Sequence, residues 1–322
     1  MRILFITATR LGDAVISTGL LDHLRRAHPG ARITVACGPV AAGLFADLPG
    51  LERTIVVTKR RHDRHWFDLW RACVGTRWDL VVDLRGSAVS LLLWARRRVI
   101  MRGGRRPGLR VGHVGRLFGL VPPPVPVVWC GPDAVARATA ALPAGPRWIG
   151  LGPTANWDGK VWPPERFVAL YEKIAARHPD ARPVVFYGPG AQEAALAAPV
   201  LAALVARGVV DTGGELDLVD VAARLARCGL FVGNDSGLMH LAAAAGTPTL
   251  GLFGPSRVTE YAPSGRAAAY VVAPGPEGVA RMTDLGVDVA FDAVLGLLPD
   301  ARHGGDGDMT TPHMAGGDAA CP

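Results

Sequence analysis

The stretch Val232-Gly233-Asn234-Asp235-Ser236-Gly237-Leu238-Met239-His240-Leu241 constrains this chain more than any other. A strand-like run, Leu230-Phe231-Val232, leads into it. A helix-like run, Leu241 to Ala245, leaves it, and Gly246 and Pro248 then stop the helix. A polar, glycine-flanked turn therefore joins a buried strand to a helix start. Helix N-termini carry unpaired N–H groups and a partial positive charge, which suits them to phosphate. Asp235 and Ser236 are good capping residues, and Gly237 lets a ligand approach the backbone. His240 lies one turn further in and can point back toward the same ligand. A capped, buried helix with no ligand would use the same residues, so this turn alone does not settle the matter.

The beginning of the chain repeats the pattern. Arg2–Thr7 reads as a strand, followed by Thr9-Arg10-Leu11-Gly12-Asp13 and a helix with apolar Val15, Leu20, Leu21 and Leu24. Arg25, Arg26 and His28 close that helix. In open α/β sheets, ligands bind at the carboxyl ends of strands. Two such turns, far apart in sequence, point to two sheets facing one cleft.

The segments between them alternate. Strands are expected at Ile33–Cys37, Thr54–Val57, Leu80–Asp83, Val99–Met101, Arg147–Leu151, Pro183–Tyr187 and near Val209. Helices are expected from Trp66, from Pro132, and over Pro163–Arg177, Ala191–Ala206, Leu216–Ala226 and Asp288–Leu298. Such alternation implies parallel sheets with crossover helices. Pro122-Pro123-Pro124 and Pro126 read as a stiff linker. The expected organisation is a first domain over residues 1–121, a linker over 122–131 and a second domain over 132–302. A Gly- and Asp-rich tail over 303–322 has no periodicity and is expected to lack order.

Charge is unevenly spread. Residues 1–130 carry 21 Lys and Arg against 8 Asp and Glu, whereas residues 131–322 carry 14 against 20. The first half is thus strongly basic, with clusters at Lys59-Arg60-Arg61-His62-Asp63-Arg64-His65, at Arg96-Arg97-Arg98 and around Arg102 to Arg110. Basic patches attract nucleic acid, acidic glycolipid or a membrane surface. A solvated arginine-rich face is the plain alternative. No nucleic-acid motif accompanies the charge, so no nucleic-acid partner is expected. Cys37, Cys73, Cys130, Cys228 and Cys321 are scattered and form no C-x-x-C pair, which fits a reducing, cytoplasmic setting. Arg10 and Asp13 interrupt the first apolar stretch too early for a signal peptide. The longest apolar run in the middle, Ala88 to Ala95, is too short to span a bilayer.

Three motifs, in order and spacing, resemble glycosyltransferase family 9, the family of ADP-heptose:lipopolysaccharide heptosyltransferases. They are Leu11-Gly12-Asp13, Lys160-Val161-Trp162-Pro163-Pro164-Glu165-Arg166-Phe167, and Gly233 to Ala243 continuing through Gly246-Thr247-Pro248 and Phe253-Gly254-Pro255. The resemblance runs to about Leu298. It implies a GT-B architecture, two Rossmann-like doubly wound α/β domains facing a central cleft. The implied reaction is inverting transfer of a sugar, a heptose, from an ADP-sugar to an anionic lipopolysaccharide-core or related acceptor.

Such a transfer needs a base for the acceptor hydroxyl, positive charge for the departing diphosphate, and a held donor. The resemblance makes Asp13 the base, although an acidic residue in a first helical turn also stabilises the helix alone. It makes Lys160 the diphosphate-binding lysine, where a lone lysine is ordinarily a surface residue. Thr154 and Asn156 precede it and can hydrogen-bond phosphate or sugar. Asp235, Ser236, Gly237 and His240 match the family's donor-binding turn. Asp235, being anionic, suits hydroxyls or amides rather than phosphate. Tyr187-Gly188-Pro189-Gly190-Ala191-Gln192-Glu193 resembles the stretch with a ribose-binding Glu; Gln192 or Glu193 can hold that place, with Glu193 preferred. Thr9, Arg10 and Gly12 are expected on the acceptor side, where Arg10 departs from the family's small hydroxyl residues.

Arg60, Arg61 and Arg64, after the third strand, are expected to steer an acidic acceptor. The next segment, His65-Trp66-Phe67-Asp68-Leu69-Trp70-Arg71, reads either as an interfacial helix on the inner leaflet of the membrane or as a helix packing Trp66, Leu69 and Trp70 into the core. No D-x-D element appears, Asp217 and Asp220 read as a helix face, and no obligatory metal or cofactor is expected. Two other classes stay open, a nucleotide-sugar epimerase of the same architecture and a non-catalytic nucleotide- or glycan-binding module. A hydride-transfer enzyme is disfavoured because no G-x-G-x-x-G follows the first strand.

Overall fold

The computed structural model describes residues 1–102 and 107–298. Arg105, Arg106 and the tail over 303–322 lie outside the described residues. The first domain runs β1 (Arg2–Ile6), α1 (Leu11–Ala27), β2 (Arg32–Cys37), β3 (Leu51–Val56), α2 (Arg64–Cys73), β4 (Trp78–Asp83), β5 (Ala95–Ile100) and α3 (Arg110–Arg116). Its sheet is parallel, in the order β3-β2-β1-β4-β5. The central strand β1 places Phe5 opposite Val35 of β2 and Val82 of β4. Both faces of β1 are buried, which is why its sequence is a continuous apolar run.

The second domain runs α4 (Pro132–Ala141), β6 (Arg147–Gly152), α5 (Pro164–Arg177), β7 (Ala181–Val185), α6 (Ala191–Ala203), β8 (Val210–Asp211), α7 (Leu218–Leu225), β9 (Leu230–Asn234), α8 (Gly237–Ala244), β10 (Thr249–Phe253), α9 (Val258–Tyr261), β11 (Ala268–Val272) and α10 (Val287–Leu297). Its parallel sheet has the order β11-β10-β9-β6-β7-β8. The expected alternation is present, and β10 and β11 extend it. Gly251 breaks the apolar pattern of β10, and β11 is a partly exposed edge strand.

Both sheets change winding direction beside their first strand, between β1 and β4 and between β6 and β9. Such a reversal leaves a crevice at the carboxyl ends of the two strands. The two domains turn these edges toward each other, the GT-B arrangement. Their contact is led by α1 against α8. One apolar core runs from Ile3, Phe5 and Leu21 in the first domain to Met239 and Leu241 in the second. A second cluster fills the far face of the second sheet, around Trp162, Phe167 and Ile174. A third covers the outer face of the first sheet, where Leu4, Ile6 and Val81 meet Leu69, Val89 and Leu93.

The proline-rich segment between the domains is anchored along α1. Thr18 Oγ1 accepts the Val127 N–H at 2.9 Å while donating to the Val15 carbonyl at 2.7 Å. Asp47 accepts the Gly131 N–H at 2.6 Å. Gly19 makes this docking possible, since a Cβ there would lie 2.5 Å from the Pro124 carbonyl oxygen and 2.6 Å from that of Val125. Gly19→Ala therefore sets a gain in helix propensity of about 1 kcal/mol against overpacking of about 1–3 kcal/mol. The obstructing atoms are backbone, so the clash wins. Denaturant unfolding should show a net loss of stability in this variant; a gain would mean that the segment does not rest on α1.

Candidate active site

The crevice between the domains is a cavity of about 470 Å³. The turn after β1 contributes Thr9, Arg10, Gly12 and Asp13. The turn after β6 contributes Thr154, Asn156 and Lys160, and α6 contributes Glu193. The turn after β9 and the start of α8 contribute Asp235, Ser236, Gly237 and His240. The structure thus gathers nearly all the residues singled out from sequence. Arg60, Arg61 and Arg64 do not line the cavity. They are exposed at the turn after β3, and Arg60 pairs with Asp68 at 3.2 Å. Of the two candidates after β7, Glu193 lines the cavity and Gln192 does not; Glu193 accepts the Gly188 N–H at 3.1 Å.

The turn after β9 differs from a simple helix cap. Helix α8 starts at Gly237, four residues earlier than the apolar run suggested, so His240 stands in its first turn. Ser236 occupies the capping position, yet its hydroxyl caps nothing and is buried with no hydrogen-bond partner. Asp235 instead takes the Lys160 ammonium at 2.6 Å, with the carboxylate buried and the lysine partly open to the cavity. Beneath them Asn234 is fully buried. Its carbonyl oxygen accepts the Trp162 N–H at 3.1 Å, while its Nδ2 has no partner. The Lys-x-Trp-Pro segment is thereby pinned to β9, which sets the position of Lys160.

Across the cavity Asp13 sits in the first turn of α1, with Oδ1 buried and unbonded. The nearest cation is Arg110, whose Nε lies 3.6 Å away; the same guanidinium reaches Glu260 at 4.0 Å. His240 lies between the two groups. Burial lowers its pKa, while Asp235 and Asp13 oppose that shift and Lys160 adds to it, so the imidazole is neutral at pH 7. Tyr261 also lines the cavity. Burial raises its phenol, helped by the carboxylates of Asp13 and Glu260.

Arg110 and Tyr261 were not individually foreseen as site residues. Arg110 belonged to a broad basic cluster with nothing to single it out. Tyr261, on the four-residue helix α9, had no local signal. The buried thiols are poor nucleophiles, since burial pushes Cys37 up to about 12 and Cys73 to about 11. Among the described residues no group of three His, Cys, Asp or Glu side chains is placed to hold a metal ion. Nor is any described helix long and apolar enough to cross a membrane.

Comparison with known proteins agrees with the motifs. Residues 121–279 match the family model described as glycosyltransferase family 9 (heptosyltransferase). Lipopolysaccharide heptosyltransferase 1 of Pseudomonas aeruginosa is 28% identical over an alignment covering 80% of this chain and 79% of that protein. In fold, the chain is similar to a family 9 glycosyl transferase from Veillonella parvula, with a TM-score of 0.75 at 21% identity, covering 93% and 97% of the two chains. It is also similar to the Escherichia coli ADP-heptose lipopolysaccharide heptosyltransferase II, with a TM-score of 0.73 at 21% identity, covering 92% and 98%. Motifs, fold and relatives converge on one conclusion: residues 121–279 belong to glycosyltransferase family 9, the heptosyltransferase family, and the chain is a glycosyltransferase.

Proposed function

We propose that this enzyme transfers a heptose, with inversion, from ADP-heptose to an anionic, lipid-linked saccharide of the lipopolysaccharide-core type. We place the reaction in the cytoplasm, at the inner membrane face. One observation carries the reading: a single cavity sets the carboxylate of Asp13, from one domain, opposite Lys160 and the N-terminus of α8, from the other. The E. coli relative, named for ADP-heptose, supports the donor.

In this reading the acceptor hydroxyl gives its proton to the unbonded Oδ1 of Asp13 as its oxygen attacks the anomeric carbon. The bond from that carbon to the diphosphate breaks on the opposite face. Charge grows on the leaving diphosphate, where the Lys160 ammonium and the α8 N-terminus meet it. These groups supply the positive charge, so the mechanism calls for no obligatory metal or cofactor. Asp235 holds Lys160 until the donor arrives and then presents its carboxylate to sugar hydroxyls. Glu193 is assigned to the ribose, and Thr154, Asn156 and Ser236 to phosphate or sugar oxygens. Thr9, Arg10 and Gly12 face the acceptor, with Arg60, Arg61 and Arg64 on its route in.

Turnover of ADP-, GDP- and UDP-sugars, with and without a lipopolysaccharide-core acceptor, tests the reading. Sugar transfer from the ADP donor supports it. Epimerised sugar, or binding without turnover, would replace it with an epimerase or a binding module.

Three outcomes follow for variants. Asp13→Asn should lower kcat by roughly 10²–10⁴-fold while ADP affinity stays near that of the parent; normal turnover would remove Asp13 as the base. Lys160→Ala should weaken ADP binding and turnover together, and calorimetry with unchanged affinity would dismiss it as a diphosphate ligand. His240 gives a pH signature. Burial depresses its pKa, and a bound diphosphate raises it, so nucleotide binding draws in a proton at any pH between the two values. Above both pKa values no proton moves. Calorimetry in buffers of different ionisation enthalpy should show more proton uptake in the parent than in His240→Gln; equal uptake would mean the imidazole does not face the nucleotide.

A further inference from the structure

The outer face of the first domain carries large apolar side chains that the sugar-transfer site does not use. On α2, Leu69 and His65 are buried and Trp66 and Trp70 are half-buried, but Phe67 is 60% exposed. Beside α2 packs the 3₁₀ turn Ala88–Leu92, where Leu91 and Leu92 are 63% and 64% exposed, followed by Trp94 at 64%. These three belong to the longest apolar run in the middle of the sequence.

Their exposure is built in rather than left over from a loose loop. Val89 and Leu93 on either side are buried in the outer core. The Arg98 guanidinium ties the segment to β5 by donating to the Ser90 carbonyl at 3.0 Å, to that of Ala95 at 3.2 Å and to that of Leu93. Ser90 donates to the Ser87 carbonyl at 2.9 Å, and Ser87 donates to the buried Asp83 at 2.7 Å. The backbone is fixed at both ends, and Leu91, Leu92 and Trp94 are held outward.

Arginines ring this apolar group. Arg77 lies over the Trp94 ring at 5.2 Å and Arg85 over the Trp66 ring at 5.3 Å. Arg64 and Arg71 flank Phe67 on α2, and all four arginines are exposed. None of the four has a carboxylate partner among the described residues. Stacking over the rings holds the Arg77 and Arg85 guanidinium groups beside Trp94 and Trp66 at the surface.

We propose that this face docks on an anionic lipid bilayer. Phe67, Leu91, Leu92 and Trp94 enter the boundary between headgroups and acyl chains, and the arginine ring binds lipid phosphates. Aromatic and leucine side chains ringed by unpaired arginines match the chemistry of that boundary. A second copy of the chain is a poor occupant, because a twofold contact would set the arginine ring against itself. The face runs from the start of α2, at the carboxyl edge of the sheet that borders the cleft, across to Arg77 and Trp94, which precede β4 and β5 at its amino edge. The inference stands apart from the choice of donor and acceptor.

Co-sedimentation with vesicles tests it. The full chain should bind vesicles of equal phosphatidylcholine and phosphatidylglycerol, bind pure phosphatidylcholine weakly, and lose binding as salt rises. The variant Leu91→Ser/Leu92→Ser/Trp94→Ser should bind anionic vesicles at least roughly tenfold more weakly, with thermal unfolding and ADP affinity like the parent. Because these side chains are exposed, the fold should survive. Arg71→Glu/Arg77→Glu should lose the preference for anionic lipid and keep the weak neutral binding. The proposal is overturned if the parent ignores anionic vesicles or if the serine variant binds like the parent. It is also overturned if ultracentrifugation finds a dimer that the serine variant disperses, which would assign the face to a second copy. A parent that binds vesicles but not ADP would instead count against the nucleotide reading alone.

Discussion

The contact between α1 and α8 organises the molecule. Each helix begins at the carboxyl end of a central strand, and each brings its first turn to the same cavity. They approach closely because each first turn carries a glycine where the other helix packs. A Cβ on Gly12 would lie 2.9 Å from His240 Cδ2, and one on Gly237 would lie 2.9 Å from Leu11 Cδ2. Two helix N-termini facing each other are two partial positive charges, which repel unless something negative lies between them. Asp13 and Asp235 supply that charge at close quarters. Lys160 partly neutralises one and Arg110 the other. With the charges paired in this way, the two helix starts can stand close together.

Unpartnered polar atoms support the same reading. Asp13 Oδ1, Asn234 Nδ2 and Ser236 Oγ are buried without hydrogen bonds. A buried polar group left unpaired costs about 1–3 kcal/mol. Such atoms also occur in the core, at Thr34 and Trp129, so their number alone says little. Their clustering is what counts: these three sit at or just past the ends of β1 and β9, the strands whose turns line the cavity. The Asn234 amide is oriented by the Trp162 N–H, which leaves its donor end free. Of the three residues, Asp13 and Ser236 line the cavity, where the proposed sugar nucleotide would offer hydroxyl and phosphate oxygens, while Asn234 lies beneath it.

Much of this was legible in the sequence because its carriers are local. Glycine-flanked turns after apolar runs mark strand ends and helix starts, and the order of those turns implied two facing sheets. The cavity residues from Thr9 to His240 all lie on such turns or on the helices that leave them. Arg110 and Tyr261 were not legible, since their place beside Asp13 depends on α3 and α9 folding back over the cleft from opposite domains. The capping role suggested for Ser236 also looked plausible from propensity. In the folded chain its hydroxyl is buried without a partner, a local rule broken at a residue that lines the cavity. Strands β10 and β11 were missed because Gly251 interrupts the short apolar run of one and the other strand is half-exposed.

The basic charge of the first half needs a different account. Of its arginines, Arg10 lines the cavity and Arg110 reaches Asp13. Several others do structural work: Arg98 fixes the segment before β5, Arg97 covers Phe118 and Arg32 pairs with Glu52. Arg96, Arg97 and Arg98 also put charge on the edge strand β5, which discourages pairing with another sheet. Among the described residues, Arg64, Arg71, Arg77 and Arg85 lie on the outer face, around Trp66, Phe67 and Trp94. Exposed charge there cannot tune chemistry in the cleft, because solvent and salt screen it over about 10 Å. It can orient the whole molecule toward an anionic surface. Under the proposed function, that orientation would let the acceptor hydroxyl reach Asp13 while its lipid stays in the bilayer.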